Sequence, residues 1–288
     1  MSTRAHPIWP KLRLLALLAP GLGVILVLIG AVAWIALAQS FGLHNPMGED
    51  RLTLDHWEKM LDRRLYLRAV GYSLWLGFAA ALISVALAYP LAIWLRRPFR
   101  GSALVSAVLQ APLLVHGLVA AFLFVNIIAY HGLVNQLMVA LGVWAEPRQL
   151  QNDRNAWGVL ILQVWKNLPF ALLVLSGSVR AIGDDILDAA RDLGAGAFAR
   201  FRRVILPLSL SALQAALTIV FIGALADYSF QVIAGPTNAQ SLAQLMVFSR
   251  ARSWHEAAVV GVTLMVLSLL GAALIAVLSR ALRLRGVL

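Results

Sequence analysis

Residues 188–207 read DAARDLGAGAFARFRRVILP, a polar, arginine-rich passage in a chain of 288 residues that is 61% hydrophobic and only 13% charged. Its reading decides the fold, because it separates two long apolar runs and must emerge on one side of whatever surrounds them. Upstream, IGDDILDAARDLGA offers Asp184 or Asp185 as the N-cap of a short helix. With Asp185 in that role, Asp188 falls in the first turn, where a negative charge suits the helix dipole. Gly194 marks the expected end, being the residue type that most readily takes the left-handed C-terminal conformation. A second amphipathic turn follows, with Phe198, Phe201 and Val204 or Ile205 at helical spacing and Arg200, Arg202 and Arg203 at a lipid boundary. Pro207 suits the first turn of the next helix.

The surroundings are membrane. Six runs are long enough to cross a hydrocarbon core of about 30 Å, at residues 14–38, 67–95, 103–129, 156–179, 208–233 and 257–279. The apolar stretch 132–144 is too short to span and reads as a surface helix; if it did span, the topology after it would invert. Cysteine is absent, which removes disulfides and thiolate metal sites.

The charges choose the topology. With an inside N-terminus, the inside segments hold fourteen basic residues against Asp184, Asp185, Asp188 and Asp192, a net +10. The outside segments hold nine basic and eight acidic residues, and Lys166 and Asp227 cancel within spans. This is the positive-inside pattern, so the formal charge of +11 reports orientation rather than a nucleic-acid surface. Lys11 and Arg13 precede a first run ending in Ala36-Leu37-Ala38, which resembles a cleavage site, but about 25 apolar residues exceed a signal peptide and read as a retained helix.

The chain reads as a single membrane domain over residues 1–288, with a first helix and exterior loop over 1–66 and a five-helix core over 67–288. No internal repeat is visible. The exterior stretch LTLDHWEKMLDRRLYL (52–67) predicts a short helix, and Pro20, Pro90, Pro112 and Pro169 predict kinks inside the first four spans. Trp9, Tyr66 and Tyr130 sit where interfacial anchors belong.

From the residues alone, the 184–197 segment either rests on the membrane surface or presents Ala189, Ala190, Gly194, Ala195 and Gly196 as a small-residue surface for another protein. Its pattern resembles the cytoplasmic EAA signature of ABC importer permeases, Glu-Ala-Ala, three residues, Gly, nine residues, Ile, one residue, Leu-Pro. Asp188, Ala189, Ala190, Gly194, Val204, Leu206 and Pro207 occupy those positions, with Asp for Glu and Val for Ile. YSLWLGFAAALISVALAYPLAIWL, WKNLPFALLVLSGSVRAI and ALADYSFQVIAGP are similar to the matching segments of the spermidine/putrescine-type branch. The resemblance implies an all-α, type I (MetI-like) permease with six transmembrane helices and both termini cytoplasmic, in a bacterial inner membrane. It implies a coupling helix at about 184–197, with Asp188, Ala189, Ala190, Arg191, Gly194 and Ala195 docking into an ATPase. It also implies the partners: two ATP-binding cassette subunits holding ATP and magnesium, a second permease subunit, identical or related, and an extracytoplasmic solute-binding protein. No cofactor is implied in this chain itself.

The residues agree with that division of labour. Lys11, Lys59 and Lys166 follow Pro, Glu and Trp, so no Gly-Lys-Ser/Thr of a phosphate-binding loop exists. The histidines show no metal-ligand spacing, and no cluster of acid, base and nucleophile suggests an enzyme. A stand-alone secondary transporter would show paired repeats and broken helices in both halves. Ionisable residues at membrane depth mark candidate substrate pathways, here Asp227 with Tyr228 beside it, and Lys166, with His116 and Asn126 as weaker candidates. Lys166 is equally readable as capping carbonyls freed by Pro169. One intramembrane acid does not by itself specify a polyamine, and Lys166 and His116 suit an organic anion, a phosphonate or a metal complex.

Overall fold

A computed structural model describes residues 8–45, 48–150 and 152–284 of the chain. Arg4 and Arg285 lie outside the described residues, as do the side chains of Trp9, Lys11, Arg13 and Arg283. Helix α1 (Ile8–Ser40) carries the first apolar run and α2 (Asp55–Leu61) is the short exterior helix. Helix α3 (Arg64–Trp94) is the second span, α7 (Trp157–Arg180) the fourth and α14 (Trp254–Leu284) the last.

Helices α3 and α7 pack in parallel. Leu76 and Ala80 meet Val159, Leu160 and Leu162 near the helix starts, whereas Val85, Ala88, Ala92 and Leu95 meet Ala171, Leu175 and Val179 near the ends. Two parallel neighbours need an odd number of crossings between them, and helix α6 (Leu133–Ala140), with 8 residues, is too short to add one of its own. Asn135 anchors α6 at the exterior end: its Nδ2 donates to the carbonyls of Ala129 and Arg148, and its Oδ1 accepts from Arg148 N at 2.7 Å.

Helix α11 (Leu210–Leu225) runs back against α3 and α7, and α14 closes the bundle. Phe221, fully buried, lies between α3 and α14 because both offer glycine where its ring lies. A Cβ on Gly271 would come within 2.1 Å of Phe221 Cε1, and one on Gly77 within 3.1 Å. Helix α1 lies outside this bundle along α14, with Leu17, Leu26, Val27 and Ile29 exposed as a lipid-facing surface.

Two expected spans are not single helices. The third consists of α4 (Ser102–Gln110), a tight turn over Ala111–Leu114, extended Val115 and His116, and α5 (Gly117–Ile128). Pro112 lacks the amide needed to continue α4, and hydropathy cannot register such a break. The fifth expected span begins as α9 (Ala197–Arg200), an underwound turn over Phe201–Ile205 and α10 (Leu206–Leu208). It then bends by 74° at Ser209 into α11. The chain breaks again at residues 226–228 before α12 (Ser229–Ala234). Helix α13 (Leu242–Arg250), closed by a Ser241/Gln244 capping box, lies between the fifth and sixth spans.

Candidate coupling surface and membrane-buried polar site

Helix α8 (Asp184–Asp192) is the expected polar helix. Its N-cap is Gly183, not Asp184 or Asp185, because Asp184 is drawn to the end of α3, where it accepts from Arg96 Nη1 at 2.6 Å and Arg97 Nη2 at 3.2 Å. Those two guanidiniums hold its carboxyl below the usual carboxylate range. Leu187 pins the inner face, leaving Asp188, Ala189 and Arg191 exposed and Ala190 half-buried.

The C-terminus closes as the sequence predicts. Gly194 has φ +82°, its amide donates to Arg191 O at 2.8 Å, and Ala195 N donates to Ala190 O at 3.0 Å. These two bonds form a Schellman motif, which fixes where Gly194 and Ala195 point. Leu193, beside this turn, is 89% exposed and Phe198 is 74% exposed. Nothing in the sequence singles out Leu193, since one exposed apolar residue is ordinary on a surface.

The helix is mounted on the spans through two contacts. Arg96, only 10% exposed in its side chain, also donates to Val179 O at 3.2 Å and to Ile182 O. At the elbow, Tyr89 of α3 hydrogen-bonds Ser209, whose Oγ also donates to Ile205 O at 2.5 Å.

The candidates at membrane depth do not form one cluster. Lys166 reaches the break in the third span, its ammonium donating to Pro112 O at 2.5 Å and to Val115 O. These carbonyls belong to the Pro112 break, 54 and 51 residues away in sequence, rather than to Pro169. His116 is exposed at the N-cap position of α5, and exposed Asn126 bonds its own helix at Phe122 O. Asp227 lies in the break between α11 and α12, where its Oδ2 accepts from Phe230 N at 3.0 Å; Tyr228 takes the N-cap position of α12.

Residues not anticipated from sequence surround Asp227. Gln163 of α7 faces it, and Asn167 one turn on donates to Gln163 Oε1 at 3.0 Å. From α3, Tyr72 donates to Gln231 Oε1 at 3.0 Å, and Gln244 reaches Gln231 O at 2.9 Å. The Nε2 atoms of Gln163 and Gln231 are buried without a hydrogen-bond partner among the described residues. Such buried amides are costly unless used. The i,i+4 spacing of Gln163 and Asn167 on an apolar helix was the available signal.

The chain is similar to known transport proteins over most of its length. Residues 84–284 match the family model described as binding-protein-dependent transport system inner membrane component. The spermidine/putrescine transport system permease protein PotB of Escherichia coli (strain K12) is 28% identical over 215 residues, covering 74% of this chain and 77% of that protein. The thiamine transport system permease protein ThiP of Brucella abortus (strain 2308) is 29% identical over 156 residues, 54% of this chain and 28% of that protein. A solved chain from a bacterial alginate ABC transporter, in complex with an alginate pentasaccharide-bound periplasmic protein, superposes with a TM-score of 0.77 at 17% identity, covering 96% of both chains. That likeness extends the MetI-like fold across 96% of the chain. With the signature on α8 and the family match over the spans, the chain belongs to the binding-protein-dependent transport system inner membrane components, as a non-enzymatic, multi-pass permease subunit of an ABC importer.

Proposed function

We infer that this permease is half of a pathway importing a small cationic solute of the polyamine class across a bacterial inner membrane. A binding protein would deliver the solute, and two ATP- and magnesium-binding ATPase subunits would drive it. A second permease, identical or related, supplies the other half. Residues 1–288 act as one unit, with Asp188, Ala189, Ala190, Arg191, Gly194 and Ala195 as the ATPase-docking surface. Closure of the ATPases moves α8, and the Arg96 clamp and the Tyr89–Ser209 elbow pass that motion to α3 and α11.

The observation that carries the choice of a cation is the unequal use of the two intramembrane charges. Lys166 is committed to two carbonyls, which takes the basic group away from an anionic solute. Asp227 accepts from Phe230 N at the start of α12, but its carboxyl lies at a helix break among the polar groups of Tyr72, Gln163 and Gln231. The likeness to a spermidine/putrescine permease supports the same class.

The test is uptake into proteoliposomes holding the full complex with its binding protein. Putrescine or spermidine is expected to enter with ATP, and Asp227→Asn to lower uptake at least tenfold while the complex still assembles. Uptake of an organic anion, with Asp227→Asn without effect, contradicts the reading.

A further inference from the structure

Beside the coupling helix lies a cavity of about 640 Å³, lined by the end of α3, by α8 and by the turn that follows α9. Four guanidiniums line it, those of Arg96, Arg97, Arg191 and Arg200, against Asp188 in the lining and Asp184 at its edge. Arg96 is taken up by Asp184 and two carbonyls, and Arg97 by Asp184 and, at 4.0 Å, Asp188. Arg191 and half-buried Arg200 have no hydrogen bond or ion pair among the described residues. Four positive charges against two negative ones leave a surplus of about two in a concave site, a field that attracts an anion.

The cavity does not end at the polar level. Pro90, Ile93 and Phe201 also line an adjoining apolar groove of about 580 Å³ between α3 and the start of α11, flanked by Leu82, Leu213 and Leu217. An arginine-lined chamber continuous with an aliphatic groove at a membrane boundary has the two halves of one amphiphile's site. We propose that it binds an anionic glycerophospholipid, the phosphate between Arg191 and Arg200 and an acyl chain along Leu82 and Leu217. A guanidinium fork matches a phosphate oxygen pair, and basic pockets at the cytoplasmic boundary hold such headgroups.

Other occupants fit less well. Asp188 and Arg191 are shared with the proposed ATPase-docking surface, but a soluble ATPase cannot reach the groove at Leu82 and Leu217 inside the hydrocarbon. A second copy of this chain would bring to the same level its own excess of fourteen basic over four acidic residues. The lipid would brace the coupling helix against α3, so bilayer composition would tune coupling. This inference rests on the membrane orientation alone and is independent of which solute is carried.

The test uses the full-length chain in a mild neutral detergent, with phosphatidylglycerol, phosphatidylcholine of the same acyl chains, or glycerol-3-phosphate added. Native mass spectrometry is expected to show one phosphatidylglycerol retained per chain and no comparable phosphatidylcholine. Phosphatidylglycerol is expected to raise the melting temperature more than phosphatidylcholine does. Arg200→Gln is expected to remove most of that difference, whereas Arg203→Gln, which loses the same charge at the same boundary outside the cavity, keeps it. Equal retention of the two lipids overturns the proposal, and so does equal loss in the two variants. An equal effect of glycerol-3-phosphate also overturns it, since that makes the site a free-anion site. A dimer that forms on lipid removal and excludes phosphatidylglycerol assigns the groove to a second copy instead. The retention measurement needs no variant, so poor folding of Arg200→Gln leaves it decisive.

Discussion

Arg96 Nη1 lies 2.6 Å from Asp184 Oδ1, joining the end of α3 to the first turn of α8 across 88 residues of sequence. The two partners are unequal. Arg96 is nearly covered and also satisfies the carbonyls of Val179 and Ile182, whereas the Asp184 side chain is 60% exposed. Removing the guanidinium strands the Ile182 carbonyl and leaves Val179 O only backbone donors, so Arg96→Gln is expected to cost about 1–2 kcal/mol. Asp184→Asn is expected to cost distinctly less, because water replaces the lost partner. Melting temperatures of the two variants check the order.

Gly194 separates fold from docking. At φ +82° a Cβ meets nothing within 4 Å, so the cost of a side chain is conformational. Gly194→Ala is expected to destabilise by about 1 kcal/mol. Asn tolerates the left-handed region, so Gly194→Asn is expected to keep more stability. Both are expected to impair ATP-driven uptake, since either side chain projects from the proposed docking surface. Parallel measurements of melting and uptake distinguish strain from lost fit.

Lys166 behaves here as a brace for the third span. Lys166→Met leaves the Val115 carbonyl unpaired and Pro112 O with only its long bond from Val115 N at 3.3 Å, at an expected cost of about 2 kcal/mol. Loss of thermal stability in the purified chain, without any solute, is the expected readout. A fully stable variant with altered solute selectivity would instead make Lys166 a pathway residue.

The exterior face contains a pH-dependent contact. His56 of α2 stacks on His255 at the start of α14, ring centroids 4.6 Å apart, and His255 Nδ1 donates to Gln39 O at 2.7 Å. Burial and then the neighbouring His255 hold the His56 pKa below 6.5; Lys59 adds to this, and Asp55 and Glu256 oppose it. The folded state therefore binds the proton less well than the unfolded state. The contribution is whole above pH 6.5 and declines as pH falls through the lowered value. Hydrogen-exchange protection over residues 52–62, taken relative to the intrinsic rate at each pH, is expected to fall between pH 7.5 and 5, and His56→Gln is expected to flatten that dependence.

Much of this was legible because it is local or cumulative. Apolar run length and the arginine distribution revealed the spans and their orientation, and Gly194 revealed the end of α8. The misses share a different cause. Asp184 leaves the capping role for Arg96, far away in sequence. The break at Val115–His116 depends on a lysine reaching across from α7, and the break at residues 226–228 lies within an apolar run. Gln163, Tyr72 and Gln231 acquire meaning only when three helices bring them to Asp227. Hydropathy averages over all of these, so polar pairing between elements stayed hidden.

The central claim is that α8 is where the ATPase grips this permease. The chain has no cysteine, so Ala195→Cys supplies a single thiol on the docking turn and Glu146→Cys a control on the exterior side. With both variants assembled in the complete transporter, crosslinking to single cysteines placed in the ATPase cleft is measured with and without ATP. The account predicts crosslinks from Ala195→Cys whose yield changes with ATP, and none from Glu146→Cys. No crosslink from Ala195→Cys in a complex that still transports would contradict it.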